Sequence, residues 1–126
     1  MKKKTPLLYL VDDQKIVNFV NQKVIESSGI SCGIKTFEDP KQALKQLKHH
    51  VPDYILLDIQ MPEVDGWQFL ESLQQLQCRS KVVMVTSSTS RIDRQKAAAF
   101  SLVVDYVVKP LSVEQVKKLS EQHCTF

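Results

Sequence analysis

At 126 residues, with 43% hydrophobic and 25% charged residues, the chain has the length and balance of one compact domain, too short for two and too apolar for disorder. Seventeen Lys and Arg against fourteen Asp and Glu leave a net charge of +3; Lys2, Lys3 and Lys4 stand together without an aromatic neighbour and read as a solvated terminus, which names no nucleic-acid partner. The apolar run after them is five residues long, short of the roughly 7 to 15 of a secretory signal and the roughly 18 of a membrane span, so no membrane insertion is expected.

The first predicted strand, Leu7–Val11, ends at Asp12 and Asp13. A helix follows, carried by Ile16, Val17, Val20, Val24 and Ile25 at helical spacing and stopped at Gly29. Residues 31–37 mix polar and apolar side chains, as an edge strand does. Asp39 before Pro40 has the form of an N-cap with proline at the first helical position, and Ala43, Leu44 and Leu47 give the inward face of a second helix running up to Val51 and Pro52. The third strand, Tyr54–Leu57, ends at Asp58. After a loop over residues 59–65, Gly66, Phe69, Leu70, Leu73 and Leu76 repeat at helical spacing.

Residues 82–85 form a fourth apolar run ending at Thr86, and residues 106–108 a fifth ending at Lys109. Ser90 with Asp93 and Ser112 with Gln115 resemble capping boxes ahead of helices at 92–100 and from Val113. The fourth helix has three consecutive alanines and only Ile92 and Phe100 as large apolar residues, so at roughly 25 cal/mol per Å² its docking is expected to be weak. Five strand and helix pairs in alternation predict an open parallel sheet with helices on both faces. Cys32, Cys78 and Cys124, odd in number and without metal-site or redox spacing, read as reduced thiols of a cytosolic protein. His49, His50 and His123 read as surface histidines.

In a parallel sheet the strand ends named above share one edge, which brings together Asp12, Asp13, Asp58, Thr86 and Lys109. Two carboxylates about 5 Å apart repel by about 3 kcal/mol at an effective dielectric of about 20, and a divalent cation relieves that. All-oxygen ligation open to water suits Mg²⁺. The chemistry is then phosphoryl transfer by positioning and charge neutralisation, with Asp58, on the middle strand, as the nucleophile. Each residue also has a plain reading: Asp13 as a helix cap, Thr86 as one of several loop hydroxyls, Lys109 before Pro110 as a solvated lysine in a turn.

The segments Val11-Asp12-Asp13, Leu57-Asp58-Ile59-Gln60-Met61-Pro62-Glu63-Val64-Asp65-Gly66, Val85-Thr86-Ser87 and Tyr106-Val107-Val108-Lys109-Pro110 resemble, in order and spacing, the signature of response-regulator receiver domains of the single-domain, chemotaxis-regulator-like type. The resemblance implies an α/β, flavodoxin-like (βα)5 sandwich with a sheet of order 2-1-3-4-5. It implies Asp58 as phospho-acceptor from a histidine kinase or histidine phosphotransfer protein, and Mg²⁺ held by Asp13, Asp58 and the backbone carbonyl of Gln60, with Asp12 acting mostly through water. Thr86 and Lys109 would hold phosphoryl oxygens, Tyr106 would change rotamer, and the Lys109–Pro110 peptide would be cis. Gln60 and Ser88 occupy positions that tune phosphoryl lifetime. The switching surface would be the face of the fourth helix, fifth strand and fifth helix, presented to a downstream protein target in the cytoplasm.

Leu102 departs from the family, in which many receivers carry glycine after the fourth helix. The chain reads as one receiver over residues 1–126 with no output domain, catalysing only its own phosphotransfer and dephosphorylation. Two other readings use the same residues. A Mg²⁺-dependent phosphohydrolase of small phosphate esters would also use Asp58 as nucleophile, but commonly has an acid two residues later, where this chain has Gln60. An FMN-binding flavodoxin-type carrier needs hydroxyls or glycine amides after the first strand, where this chain has two aspartates.

Overall fold

The computed structural model describes residues 5–123, with side chains through residue 122. Strands β1 (Leu7–Val11), β2 (Gly33–Phe37), β3 (Tyr54–Leu57), β4 (Lys81–Thr86) and β5 (Val103–Val108) alternate with helices α1 (Lys15–Ser27), α2 (Pro40–Gln46), α3 (Gly66–Gln75), α4 (Arg91–Ala98) and α5 (Val113–His123). All four strand pairs are parallel and the order is β2-β1-β3-β4-β5, the flavodoxin-like arrangement expected from the sequence.

The alternation of side chains along the strands builds two cores. Tyr9, Val11, Ile55, Leu57, Val82 and Met84 face α2 and α3, meeting Ala43, Phe69, Leu70 and Leu73. Leu8, Leu10, Tyr54, Leu56, Val83 and Val85 face the opposite layer, meeting Ile25 of α1 and Val116 and Leu119 of α5. β1, β3 and β4 are covered on both sides, which is why each reads as an unbroken apolar run. β2, with Lys35 and Thr36 exposed, lies at the edge.

Several local expectations are corrected. β2 begins at Gly33 rather than Ser31, and α2 ends at Gln46, leaving Val51 58% exposed. On α1, Ile16 and Val20 face outward while Asn18, Asn21 and Ile25 are buried, so the helix is turned from the face its large apolar residues suggest. β5 starts three residues earlier than its apolar run, because Asp105 interrupts the pattern; a register shift against Val82 and Val83 accommodates the extra residue.

Helix ends follow the local chemistry. Gly29 takes φ +82 at the end of α1, a left-handed conformation that glycine adopts without a Cβ clash. Asp39 accepts from the Lys41 N–H, and Asp65 with Gln68 forms a full capping box for α3. Ser112 and Gln115 form a second box for α5. At α4 only half of the expected box is made: Ser90 accepts from the Asp93 N–H, while the Asp93 carboxylate accepts from Ser88 Oγ. The α4 exit needs no left-handed residue; Ala99 is right-handed helical and Leu102 has a negative φ.

Ile92 is 74% exposed and Ala97 is the buried residue of α4, so this helix does bury little apolar surface. Cys32 and Cys78 are free thiols, and His49 and His50 are exposed; Cys124, the histidine side chain at 123 and the lysines at 2–4 lie outside the described residues. No described helix is long and apolar enough to cross a membrane.

Candidate functional site

The carboxyl ends of β1 and β3 set the positions of the acids. Asp12 follows β1 and donates its N–H to the Phe37 carbonyl of β2 at 3.1 Å; Asp58 follows β3 and donates to the Val11 carbonyl at 3.1 Å. Asp12, Asp13 and Asp58 each bring one carboxylate oxygen to within 4.8 Å of the others, and they form the one such cluster of acid, histidine and thiol groups among the described residues. Asp12 and Asp58 are buried, and Asp13 is partly exposed.

Across from them, the backbone N–H of Lys109 is held to the Thr86 carbonyl at 2.8 Å, and its ammonium reaches Asp12 Oδ2 at 2.7 Å and Asp58 Oδ2 at 3.3 Å. The peptide to Pro110 is cis. Burial opposes the charge on Lys109, but the hydrogen bond to Asp12 and the charges of Asp12 and Asp58 together hold its pKa above the ordinary lysine value. Asp13 has no place in that ion-pair set. Burial, followed by the neighbouring negative charges of Asp12 and Asp58, holds its carboxyl above the ordinary range.

The remaining oxygens of the two buried acids are occupied by backbone. Asp12 Oδ1 accepts from the Gln14 N–H at 2.9 Å, and Asp58 Oδ1 from the Ile59 N–H at 2.8 Å. The reading of Asp13 as cap of α1 is corrected here: Gln14 is the N-cap residue and makes no side-chain cap bond, while Asp12 supplies the oxygen.

Thr86 is buried at the end of β4, and its hydroxyl accepts from the Ser88 N–H at 3.3 Å. Tyr106 donates its hydroxyl to the Ser88 carbonyl at 3.0 Å, and the Arg94 guanidinium of α4 lies 4.7 Å from its ring centre. Ser88 thus touches β5 through its carbonyl and α4 through its hydroxyl, which donates to Asp93 at 2.5 Å. Gln60 is exposed in the loop after Asp58.

Two residues gain a role at the site that the sequence analysis did not assign them. A Cβ on Gly66 would come 2.5 Å from the Asp58 carbonyl oxygen and 2.8 Å from Ile59 Cα, so only glycine lets α3 start this close to the end of β3. The signal in the sequence is a glycine in the first turn of a helix, where propensity disfavours it. Asn18, 3% exposed inside α1, donates Nδ2 to the carbonyls of Asp12 and Phe37.

The family description for the response regulator receiver domain matches residues 8–121. This chain belongs to that family. Among similar proteins, protein-glutamate methylesterase/protein-glutamine glutaminase 1 of Burkholderia pseudomallei is 38% identical over 111 residues, 87% of this receiver but 30% of the relative's own length. A two component response regulator from Cytophaga hutchinsonii superposes with a TM-score of 0.87 at 28% identity, covering 98% of the receiver and all of that chain. Chemotaxis protein CheY4 of Vibrio cholerae shares the fold with a TM-score of 0.81 at 23% identity, over 94% of this receiver and 98% of its own chain.

Proposed function

We propose that this receiver accepts a phosphoryl group on Asp58 from the phosphohistidine of a histidine kinase or histidine phosphotransfer protein, and that the modified aspartate biases the face formed by α4, β5 and α5. One observation carries the reading: three carboxylates converge within 4.8 Å, faced by an ammonium 2.7 and 3.3 Å from two of them.

The donor set fits a hard divalent cation. It is all oxygen, open on the Asp13 side, and Lys109 offsets one charge among three acids that repel one another. Asp12, Asp13, Asp58 and the backbone carbonyl of Gln60 would hold Mg²⁺, which when bound neutralises charge on the carboxylates and on phosphoryl oxygen. In the transfer, an Asp58 oxygen forms the new O–P bond as the N–P bond of the phosphoimidazole breaks, and the imidazole leaves with the electron pair. Lys109 and Thr86 donate hydrogen bonds to the phosphoryl oxygens.

Each charge-assisted hydrogen bond contributes about 1.5 to 3 kcal/mol. Two of them supply roughly 3 to 6 kcal/mol, a range that includes the approximately 5.5 kcal/mol that reverses a 1:99 population. A Thr86 hydroxyl drawn to the phosphoryl leaves the Ser88 N–H, and Ser88 is the residue that Tyr106 and Asp93 both hold. The bias is thereby delivered to β5 and α4. Gln60 and Ser88, two residues beyond Asp58 and Thr86, would tune the lifetime of the acyl phosphate. The module acts in the cytoplasm as a signalling phospho-acceptor with a protein as its downstream target.

Incubation with acetyl phosphate and Mg²⁺ should add one phosphoryl mass to the protein and none to Asp58→Asn, read by intact-mass spectrometry. An unmodified wild-type protein, or a modified Asp58→Asn, would overturn the assignment. Sustained multiple turnover of a phosphate ester would point instead to hydrolysis as the function.

A further inference from the structure

Asn18 is a polar residue buried inside α1, and its amide is half used. Nδ2 donates to the Asp12 carbonyl at 2.9 Å and to the Phe37 carbonyl at 3.1 Å, whereas Oδ1 is buried without a hydrogen-bond partner. Two carbonyls on one side require the N–H end there, so the amide orientation is fixed by its surroundings. A buried carbonyl oxygen without a donor is destabilising, and a leucine would fill nearly the same volume without it. What the asparagine adds is its pair of N–H groups.

Those groups act on the peptide that leads into the acid cluster. The Asp12 carbonyl and the Asp13 N–H belong to one planar unit, so holding the carbonyl sets the direction in which the chain enters Asp13. Asp12 and Asp58 are also restrained by Lys109, but Asp13 is not; the contacts of its carboxylate are local, with Asp12 and with its own backbone, so they move with the peptide that carries it. The Phe37 carbonyl accepts from both Asn18 Nδ2 and the Asp12 N–H, which ties α1, β1 and β2 together at that peptide.

We propose that Asn18 is a positioning residue for the acid cluster: it pins the Asp12–Asp13 peptide and so holds Asp13 at the spacing from Asp12 and Asp58 that binds a divalent cation. The proposal rests on reading the cluster as a Mg²⁺ site and does not depend on phosphoryl transfer.

Two measurements test it. In metal-free wild-type protein, NMR should show a through-hydrogen-bond coupling between Asn18 Nδ2 and the Asp12 carbonyl carbon, with slow exchange of the side-chain amide protons. In Asn18→Leu, calorimetric titration with Mg²⁺ should give an affinity about tenfold weaker, at the low end of what a lost ligand-orienting contact costs, while thermal unfolding stays near the wild-type temperature, because leucine removes the unpartnered Asn18 Oδ1 but leaves the Asp12 carbonyl without that donor. A merely structural asparagine would not separate affinity from stability in this way. Should the leucine variant fail to fold, Asn18→Ala carries the comparison at a temperature where it is fully folded. Wild-type affinity in the variant, or a freely exchanging amide without coupling, would overturn the proposal. Absence of Mg²⁺ binding in wild type, with the coupling present, would remove the site reading beneath it and is distinguishable from both.

Discussion

Lys109 Nζ sits 2.7 Å from Asp12 Oδ2, closer than the 3.3 Å that separates it from Asp58, although Asp12 is 97 residues away in sequence. The cation is therefore shared, with its shorter bond on the acid that the reading does not make the acceptor. Its three N–H donors allow it to keep Asp12 while turning another toward a group arriving on Asp58. Replacing it leaves two buried carboxylates facing each other. Lys109→Met should lose roughly 2 to 4 kcal/mol of stability in urea unfolding of metal-free protein, somewhat below the usual cost of breaking a buried pair because the lysine keeps some solvent contact.

The acid left out of that pairing behaves in the opposite sense. At 4.8 Å and an effective dielectric of about 20, one carboxylate repels another by about 3 kcal/mol, reduced by the water that reaches Asp13. Asp13→Asn should stabilise the metal-free protein by about 1 to 2 kcal/mol and weaken or abolish the further stabilisation that Mg²⁺ gives wild type. Unfolding curves with Mg²⁺ and with a chelator measure both.

Stability against pH should carry the same signature. The folded pKa of Asp13 is raised, so its ionised form weakens the fold at neutral pH; the penalty is relieved as pH falls through the folded value and is gone below the ordinary value of 3.8. Lys109 is raised as well. Its contribution is complete below its ordinary value of 10.5 and is lost as pH rises through the higher folded value. In metal-free buffer, wild type minus Asp13→Asn should therefore show a relative gain for wild type on acidification, and a flat difference would contradict it.

Gly66 offers a steric test of the same region. A methyl group there meets backbone on β3's exit, not a movable side chain, so α3 or the Asp58 carbonyl must shift. Gly66→Ala should lose about 1 to 3 kcal/mol by overpacking. Its rate of labelling by acetyl phosphate should fall by more than the loss of folded protein explains, measured under conditions where the variant is folded.

The central strands and the convergence of Asp12, Asp13, Asp58 and Lys109 were legible because β1, β3 and β4 are buried on both faces and end abruptly at polar residues. β5 was legible only in its last half, since Asp105 breaks its apolar run and the register shift beside it has no sequence signal. The turning of α1 was hidden because Ile16 and Val20 look like core residues, whereas the buried positions include Asn18 and Asn21. Asn18 satisfies backbone carbonyls 6 and 19 residues away, and backbone partners leave no mark in the amino-acid pattern. The division of Lys109 between two acids is likewise a matter of ångströms, which residue types do not encode.

α4 is attached in an unusual manner. Ala97 is its buried residue, and two of its cations lie over aromatic faces, Arg94 over Tyr106 and Lys96 over Trp67, each at 4.7 Å from the ring centre. Interlocked branched side chains resist sliding, because every small displacement opens a void on one flank and a clash on the other. A charge above a ring tolerates lateral travel, since the attraction varies gradually across the face. Tyr106 and Trp67 thus hold α4 through contacts that weaken gradually with displacement, beside the directional bond from Ser88 to Asp93, and the tryptophan places an intrinsic optical reporter at the joint.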